Sequence, residues 1–286
     1  MAASRREAMA PLTRSRHILI LAPHPDDEVV ACGLSAWRAR QDGARLYVLY
    51  LTTGVPLGEA LWPWRRKGHS ARVARRREEA VAAAAMLGLT PVEFLAIPSR
   101  SLRLHLDEAA AAIDRALRAT PATALWVPAF EGAHQDHDAA NALAAAYRDR
   151  LQVWEFAAYN YAGGRVNSNW FFDVRRGAIE EHPSRQEARL KRKALATYAS
   201  ESGNLLHIRF DREMCRPMPR HDYAAPPHPG TLFRERFHWV PFHHPRIDFT
   251  PSDEIYSVLG KWSAASRTAP TDAGADREIQ HVSLSR

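Results

Sequence analysis

The sequence predicts an α/β fold: a Rossmann-like, doubly wound, mostly parallel sheet with helices on both faces and a loop-rich C-terminal addition. Three observations carry this. Short apolar runs rich in branched residues alternate five times with longer amphipathic stretches. The chain has 286 residues and 46% hydrophobic content, enough for one large domain with additions. Polar clusters follow two of the apolar runs, at the carboxyl edge where such sheets bind ligands.

Residues 18–21 (ILIL) make a first buried strand. Pro23 and Pro25 break regular structure after it, and Val29, Val30, Leu34 and Trp37 mark the inner face of a following helix. Residues 46–51 (LYVLYL) are strand two, closed by Thr52-Thr53-Gly54. Residues 55–68 form a long loop with Trp62 and Trp64, and long loops in compact domains are usually functional. A helix runs over 70–87, capped by Ser70 and ended by Gly88. Residues 93–97 are strand three, 107–119 a helix, 124–129 strand four, 138–149 a helix and 152–158 strand five. Residues 171–174 offer one more strand, and 187–200 a basic amphipathic helix. Right-handed crossovers give the order 3-2-1-4-5, with a crevice between the ends of strands one and four.

Residues 1–15 read as a disordered leader and 263–286 as a disordered tail. Between them lies a single domain, 16–262, with its core in 16–200 and a substrate-side addition in 201–262. No apolar run approaches the ~20 residues of a membrane span, and the leader lacks the apolar core of a secretory signal. Cys32 and Cys215 are too few for a disulfide framework, which fits a cytoplasmic setting. The net charge of +7 is spread along the chain, without a glycine-aromatic RNA signature or zinc-finger spacing. Nucleic acid is therefore not expected; an anionic or phosphate-bearing substrate is the better reason for the excess. Oligomeric state is open, a homo-oligomer included.

The chemistry concentrates in two motifs. After strand one, His24 and Asp27 are three apart on a tight turn, so both side chains reach one point. Imidazole plus carboxylate is part of a usual zinc ligand set. Asp26 is then a spare carboxylate suited to take a proton from a bound water. The competing role for Asp26 and Asp27 is to cap the helix N-terminus. After strand four come His134, Gln135, Asp136 and His137. His24, Asp27 and one of these histidines make a three-ligand site with an open fourth position. The other histidine would lie beside the water or the substrate oxygen, and Asp136 would hold one imidazole in its working tautomer.

Pro23-His24-Pro25-Asp26-Asp27-Glu28 followed by His134-Gln135-Asp136-His137 resembles the PIG-L/LmbE family of zinc-dependent N-acetylglucosaminyl deacetylases. Arg76-Arg77-Glu78-Glu79 with Leu87-Gly88, and the stretch 193–200, are similar to further parts of the family pattern. The resemblance implies one Zn²⁺ per chain, or another divalent transition metal, held by His24, Asp27 and His137. It implies Asp26 as general base and His134 as oxyanion stabiliser, acting as a cation whose pKa Asp136 raises. The implied substrate is a small molecule or glycoconjugate whose amino sugar loses an N-acyl group, acetyl first; the alternatives are a non-sugar N-acyl substrate for the same site, and a non-enzymatic basic module that binds nucleic acid. Two departures stand out. Gln135 replaces the proline of the usual second motif, and Gly132 stands where some relatives have tyrosine.

The rest is less specific. Tyr159, Asn160, Tyr161, Asn167, Asn169 and Trp170 suit a sugar, and suit an ordinary turn-rich loop equally well. His207, His221, His228, His238, His243 and His244 are too irregularly spaced for a second metal site, though one or two could line the substrate pocket.

Overall fold

The five apolar runs form the parallel part of a seven-stranded sheet. The structure, a computed structural model, describes residues 12, 15–60, 62, 66–173, 177–242, 244 and 247–268. In chain order the main elements are β1 (His17–Ala22), α1 (Asp27–Val30), α2 (Gly33–Gln41), β2 (Arg45–Tyr50), α3 (His69–Leu87), β3 (Thr90–Phe94), α4 (Leu106–Ala119), β4 (Ala124–Pro128) and α5 (Gln135–Ala145). They continue with β5 (Gln152–Phe156), the hairpin β6 (Tyr159–Asn160) and β7 (Asn167–Ser168), β8 (Ile179–Glu181), α6 (Arg185–Leu195), β9 (Glu213–Pro217) and α7 (Ser252–Thr268).

The sheet order is β3-β2-β1-β4-β5-β9-β8. Its first five strands are parallel, in the order the sequence predicts. β1 lies between β2 and β4, with Ile18 opposite Leu46 on one side and Ala124 on the other. β9 and β8 extend the β5 edge antiparallel. The parallel strands are covered on both faces, which is why they read as unbroken apolar runs. Ile18, Ile20, Val48, Trp126 and Phe156 pack under α2, α3 and α6. Leu19, Leu21, Leu49, Leu125 and Val127 pack under α4, α5 and α7. Alanines at 80, 83, 84, 109, 112, 116 and 139–144 (except Asn141 and Leu143) let the helices lie close on the sheet.

Several boundaries differ from expectation. β3 spans Thr90–Phe94 rather than 93–97; it contains Pro91, which an edge strand tolerates. The helix after Glu28 breaks between Val30 and Gly33. α5 starts three residues early, because His134 caps it. Residues 171–173 are not a strand, and Val174 lies outside the described residues. The tail boundary at 263 falls inside α7, which runs to Thr268. Ile255, Tyr256 and Leu259 give that helix its apolar stripe, and the small Ser263 fits under it. Residues 269–286 lie outside the described residues, as does most of 1–15, but Leu12 and Ser15 are buried. Among the described residues no helix is long and apolar enough to cross a membrane.

β9 escaped the apolar pattern because its buried residues include charges. Glu213 accepts hydrogen bonds from Leu34 N (2.7 Å), Ser35 N (2.9 Å), Ser35 Oγ (2.9 Å) and Lys191 Nζ (2.6 Å). It thus sits at the N-terminus of α2, where negative charge is favoured, and ties β9 to α6. Lys191 also donates to Val30 O at 3.0 Å, so the bridge clamps the segment behind the β1 turn. Removing one partner of a buried pair leaves the other charge uncompensated. Lys191→Met is therefore expected to lower stability by about 3 kcal/mol, read from the midpoint of urea unfolding; an unchanged midpoint would contradict the clamp.

Candidate active site

Two turns at the carboxyl ends of β1 and β4 build the site. After β1, Thr52 Oγ1 donates to Pro23 O at 2.7 Å and fixes the first turn. Asp26 has φ 150°, a backbone conformation that side-chain-bearing residues rarely adopt. Its carbonyl accepts from Val29 N (3.0 Å) and Val30 N (2.9 Å), while its side chain makes no cap. The carboxylate instead meets Arg76 Nη2 at 3.2 Å, and the same nitrogen donates to Pro25 O at 2.8 Å. Gly54, at φ +68°, leaves room for this: a Cβ there would lie 2.6 Å from Arg76 Nη2.

After β4, Glu131 N and Gly132 N donate to Asp138 Oδ1 at 3.3 and 3.2 Å and turn the chain into α5. His134 is the N-cap, its Nδ1 accepting from Asp136 N at 3.1 Å. Asp136 and His137 follow in the first turn, both fully buried.

The two turns meet at His24. Its Nδ1 lies 3.0 Å from Asp27 Oδ2, and its Nε2 lies 3.0 Å from Asp136 Oδ2. Asp27 Oδ1 is 3.1 Å from His137 Nε2. Asp136 also accepts from Arg100 N (2.6 Å) and Leu102 N (3.1 Å), and Ser99 Oγ lies 3.2 Å from His24 Nε2. Five of the six residues expected at the site are therefore joined by these contacts, and Asp26 lies in the same turn as Asp27, near enough to feel the charges of Asp27 and His24. Their ligand atoms form two overlapping groups, His24 with Asp27 and His137, and His24 with His134 and Asp136, each within 4.8 Å.

The electrostatics follow from burial and these pairings. Burial disfavours an imidazolium at His24, but Asp27 and Asp136 outweigh it and carry its pKa up to about 10. A proton thus stands where a bound cation would compete for the ring. Burial raises Asp26 to about 7, with Arg76 opposing. Asp27 is held well below the usual carboxylate range: burial raises it, and His137 and His24 more than reverse that. His137 Nδ1 makes no hydrogen bond among the described residues, and its Nε2 faces the Asp27 carboxylate at 3.1 Å.

The His134 expectation needs correction. Burial, and then repulsion from His24, push its pKa down to about 3. The bond from Asp136 N to Nδ1 leaves the ring proton on Nε2, so His134 is a neutral donor rather than a cation. The Asp136 carboxylate lies 3.6 Å from His134 Nδ1 and 3.0 Å from His24 Nε2, so the imidazole it orients is His24.

The amides of 160–169 are also placed otherwise than a sugar-binding set. Asn160 Nδ2 donates to Glu131 Oε2 and Trp170 O, Asn167 Nδ2 to Asn160 Oδ1, and Asn169 Nδ2 to Val30 O. They hold the loop together, and only Tyr159 of that stretch reaches the site, its ring 5.4 Å from that of His137. Sequence reading missed Ser99, Arg100 and the role of Glu131, whose Oε1 accepts from Ala158 N (2.7 Å) and Tyr159 N (3.0 Å). The one available signal for Ser99 and Arg100 was position, just beyond the third strand at the ligand-binding edge.

Residues 19–147 match the family model PIG-L, GlcNAc-PI de-N-acetylase. The chain carries a PIG-L domain. That match spans β1 to α5 and both motifs, and it puts the chain among enzymes of the N-deacetylase class. Similar solved structures include a deacetylase of teicoplanin biosynthesis in complex with bog, at 19% identity over 72% of this chain and 99% of that one, with TM-score 0.57. A zinc-inhibited form of teicoplanin deacetylase gives 19% identity over the same shares and TM-score 0.55. The N,N'-diacetylchitobiose deacetylase of Pyrococcus horikoshii gives 16% over 76% and 92%, with TM-score 0.51. At such identities the likeness is one of fold. No curated protein matches the chain in sequence.

Both departures from the PIG-L pattern meet the C-terminal addition. Gly132 has φ +68°, and a Cβ there would lie 2.7 Å from Leu232 Cδ2, so a tyrosine would be strained and would have to displace the Leu232 side chain. Gln135 is fully buried; its Nε2 donates to Asp248 Oδ2 (2.6 Å) and Thr250 Oγ1 (3.3 Å), and its Oε1 accepts from Arg103 Nη1 (2.9 Å). A proline could begin the helix but could not make these bonds. Gln135→Ala is expected to cost ~1–3 kcal/mol through the partners left unsatisfied, and to speed amide exchange in residues 247–250. Unchanged exchange there would show that Gln135 is not what fastens the addition.

Proposed function

We propose that this chain is a metal-dependent N-deacetylase that hydrolyses an N-acyl group, acetyl in the first instance, from an amino sugar in a glycoconjugate. One observation carries the reading: His24, Asp27 and His137 converge in a buried site where, among the described residues, His137 Nδ1 has no hydrogen bond and Nε2 meets the Asp27 carboxylate at 3.1 Å. A buried imidazole nitrogen left without a hydrogen bond is costly, and a cation between the ring and the Asp27 carboxylate would satisfy both. Two imidazoles and a carboxylate suit zinc, with a position left for water or substrate. His24, Asp27 and His137 would hold the ion, and Asp136 would orient the His24 ring behind it. The PIG-L domain and the likeness to teicoplanin and diacetylchitobiose deacetylases support the amino-sugar substrate. One of those likenesses is to a zinc-inhibited form, so reconstitution should compare zinc with cobalt, manganese and nickel.

Such an ion, when bound, lowers the pKa of water toward ~7 and polarises the acyl oxygen. Asp26 takes the proton of the attacking water. Its carboxyl, raised by burial to about 7, can hold that proton and pass it to the departing amine. Arg76 keeps the carboxylate aimed. His134 donates from Nε2 to the oxygen that gains charge as the carbonyl becomes tetrahedral.

In protein loaded with metal, Asp26→Asn is expected to keep the ion and lose ~10²–10⁴ of turnover on an N-acetyl amino sugar. Near-normal turnover would remove Asp26 as the base, and no turnover by the parent protein on any N-acetyl amino sugar would remove the proposed substrate class.

His134→Ala should lower kcat by ~10²–10³ with little change in KM, and keep the metal. Because the native imidazole, with its pKa pushed down to about 3, is neutral at working pH, His134→Gln should retain more activity than His134→Ala, and the alkaline side of the pH profile should be the same in all three proteins. An alkaline limb that disappears with His134 would restore the cationic role. Loss of metal on His134→Ala would make His134 a ligand.

A further inference from the structure

A pocket of about 180 Å³ lies between the C-terminal half of α5, α7 and the segment that follows β9. None of the residues that line it belongs to the active site described above. Ala142, Ala145 and Ala146 form its floor, and their small side chains leave the space open. Trp262 of α7 lines one side. Its Nε1 donates to Asp107 Oδ1 at 2.8 Å, which restrains the half-buried indole. His221 and Tyr223 line another side, and both are anchored: His221 Nε2 lies 2.8 Å from Glu155 Oε2, and the Tyr223 hydroxyl donates to Asn141 Oδ1 at 2.6 Å.

The charge around this pocket is one-sided. Arg148, Arg220 and Arg267 line it, against one carboxylate, Asp149. Neither Arg148 nor Arg220 has an ion pair or a side-chain hydrogen bond among the described residues. Arg267 has one hydrogen bond there, from Nη1 to Ser263 Oγ at 3.1 Å. Other exposed arginines of this face are paired: Arg115 meets Glu93 at 2.9 Å, and Arg150 meets Asp114 at 4.0 Å. Two of the three guanidiniums also act on the Tyr223 end of the pocket. Burial raises the Tyr223 hydroxyl pKa and Glu155 adds to that, while Arg148 and Arg267 oppose. Like charges around one concavity repel one another, and their field converges on an anion placed there. A guanidinium fork matches the oxygens of phosphate or carboxylate, and the face of an indole suits a flat ring.

We infer that this pocket is a second ligand site, which takes a small anion built on a flat ring: the phosphate or carboxylate lies among Arg148, Arg220 and Arg267, and the ring lies on Trp262. An inorganic anion would leave the Trp262 wall and the alanine floor uncovered. A neutral ring would leave the guanidiniums unpaired. The site is independent of the deacetylase reading above.

Calorimetric titration of the full chain at low salt tests this, with phenyl phosphate, benzoate, inorganic phosphate and benzyl alcohol as probes. At least one ring-bearing anion should bind roughly 10- to 100-fold more tightly than both inorganic phosphate and benzyl alcohol. The tighter of phenyl phosphate and benzoate identifies the anion read. The double variant Arg148→Gln, Arg220→Gln should bring that probe down to the affinity of benzyl alcohol. The double variant Arg45→Gln, Arg189→Gln, which removes the same charge from exposed positions elsewhere, should leave it unchanged. Trp262→Ala should bring it down to the affinity of inorganic phosphate, and Trp262→Phe should keep part of the difference. No preference for either ring-bearing anion overturns the site. So does equal binding by the parent protein and the Arg148, Arg220 variant, an equal loss in both double variants, or an unchanged preference in Trp262→Ala. Thermal unfolding shows that each variant is folded, and Trp262→Leu replaces Trp262→Ala if the latter is not.

Discussion

His24 is held between two buried carboxylates, Asp27 on Nδ1 and Asp136 on Nε2, and the rest of the site depends on that placement. The contact is possible because β1 and β4 are neighbours, so the turns that follow them open onto one crevice. Asp136 is itself fixed by the backbone N–H groups of Arg100 and Leu102, which adds the loop beyond β3 to the same cluster. Three strand ends are thus joined through one imidazole. The arrangement concentrates negative charge in a buried place. It is balanced by a proton on His24, whose pKa stands near 10, or by a cation that replaces the proton. Acid should therefore weaken cation binding, because proton and metal compete for the same ring.

The parallel sheet was legible because its strands are buried on both faces and apolar throughout. The predicted order held because connection handedness leaves few alternatives. β8 and β9 were not legible. β9 buries Glu213 and Arg216 as paired charges, so its composition reads as loop. The end of α7 was hidden by small polar residues such as Ser263, which pack inward without looking apolar. At the site, the residue types and spacings were enough to bring His24, Asp26, Asp27, His134, Asp136 and His137 to one place. They were not enough to say which imidazole Asp136 serves, or that His134 is neutral. Both depend on a 3.1 Å cap bond and on the approach of a loop from β3, neither of which leaves a trace in composition.

The C-terminal addition is more than a cover. Leu232 takes the space a side chain at Gly132 would need, and Asp248 and Thr250 engage Gln135. Two positions that depart from the family pattern are thereby explained by contacts outside the PIG-L domain. The same addition carries His207, Phe233 and Arg236 to the outer side of Tyr159. The inner chemistry thus comes from the parallel sheet, and the outer wall from segments that extend it. Such a division would let the reaction stay fixed while the addition varies.

The most direct measurement is anomalous diffraction from crystals soaked in zinc, cobalt, manganese or nickel. A single strong peak bounded by His24, Asp27 and His137 is expected, with Asp136 on the far side of the His24 ring. A peak among His24, His134 and Asp136, or none with any of these ions, would contradict this placement.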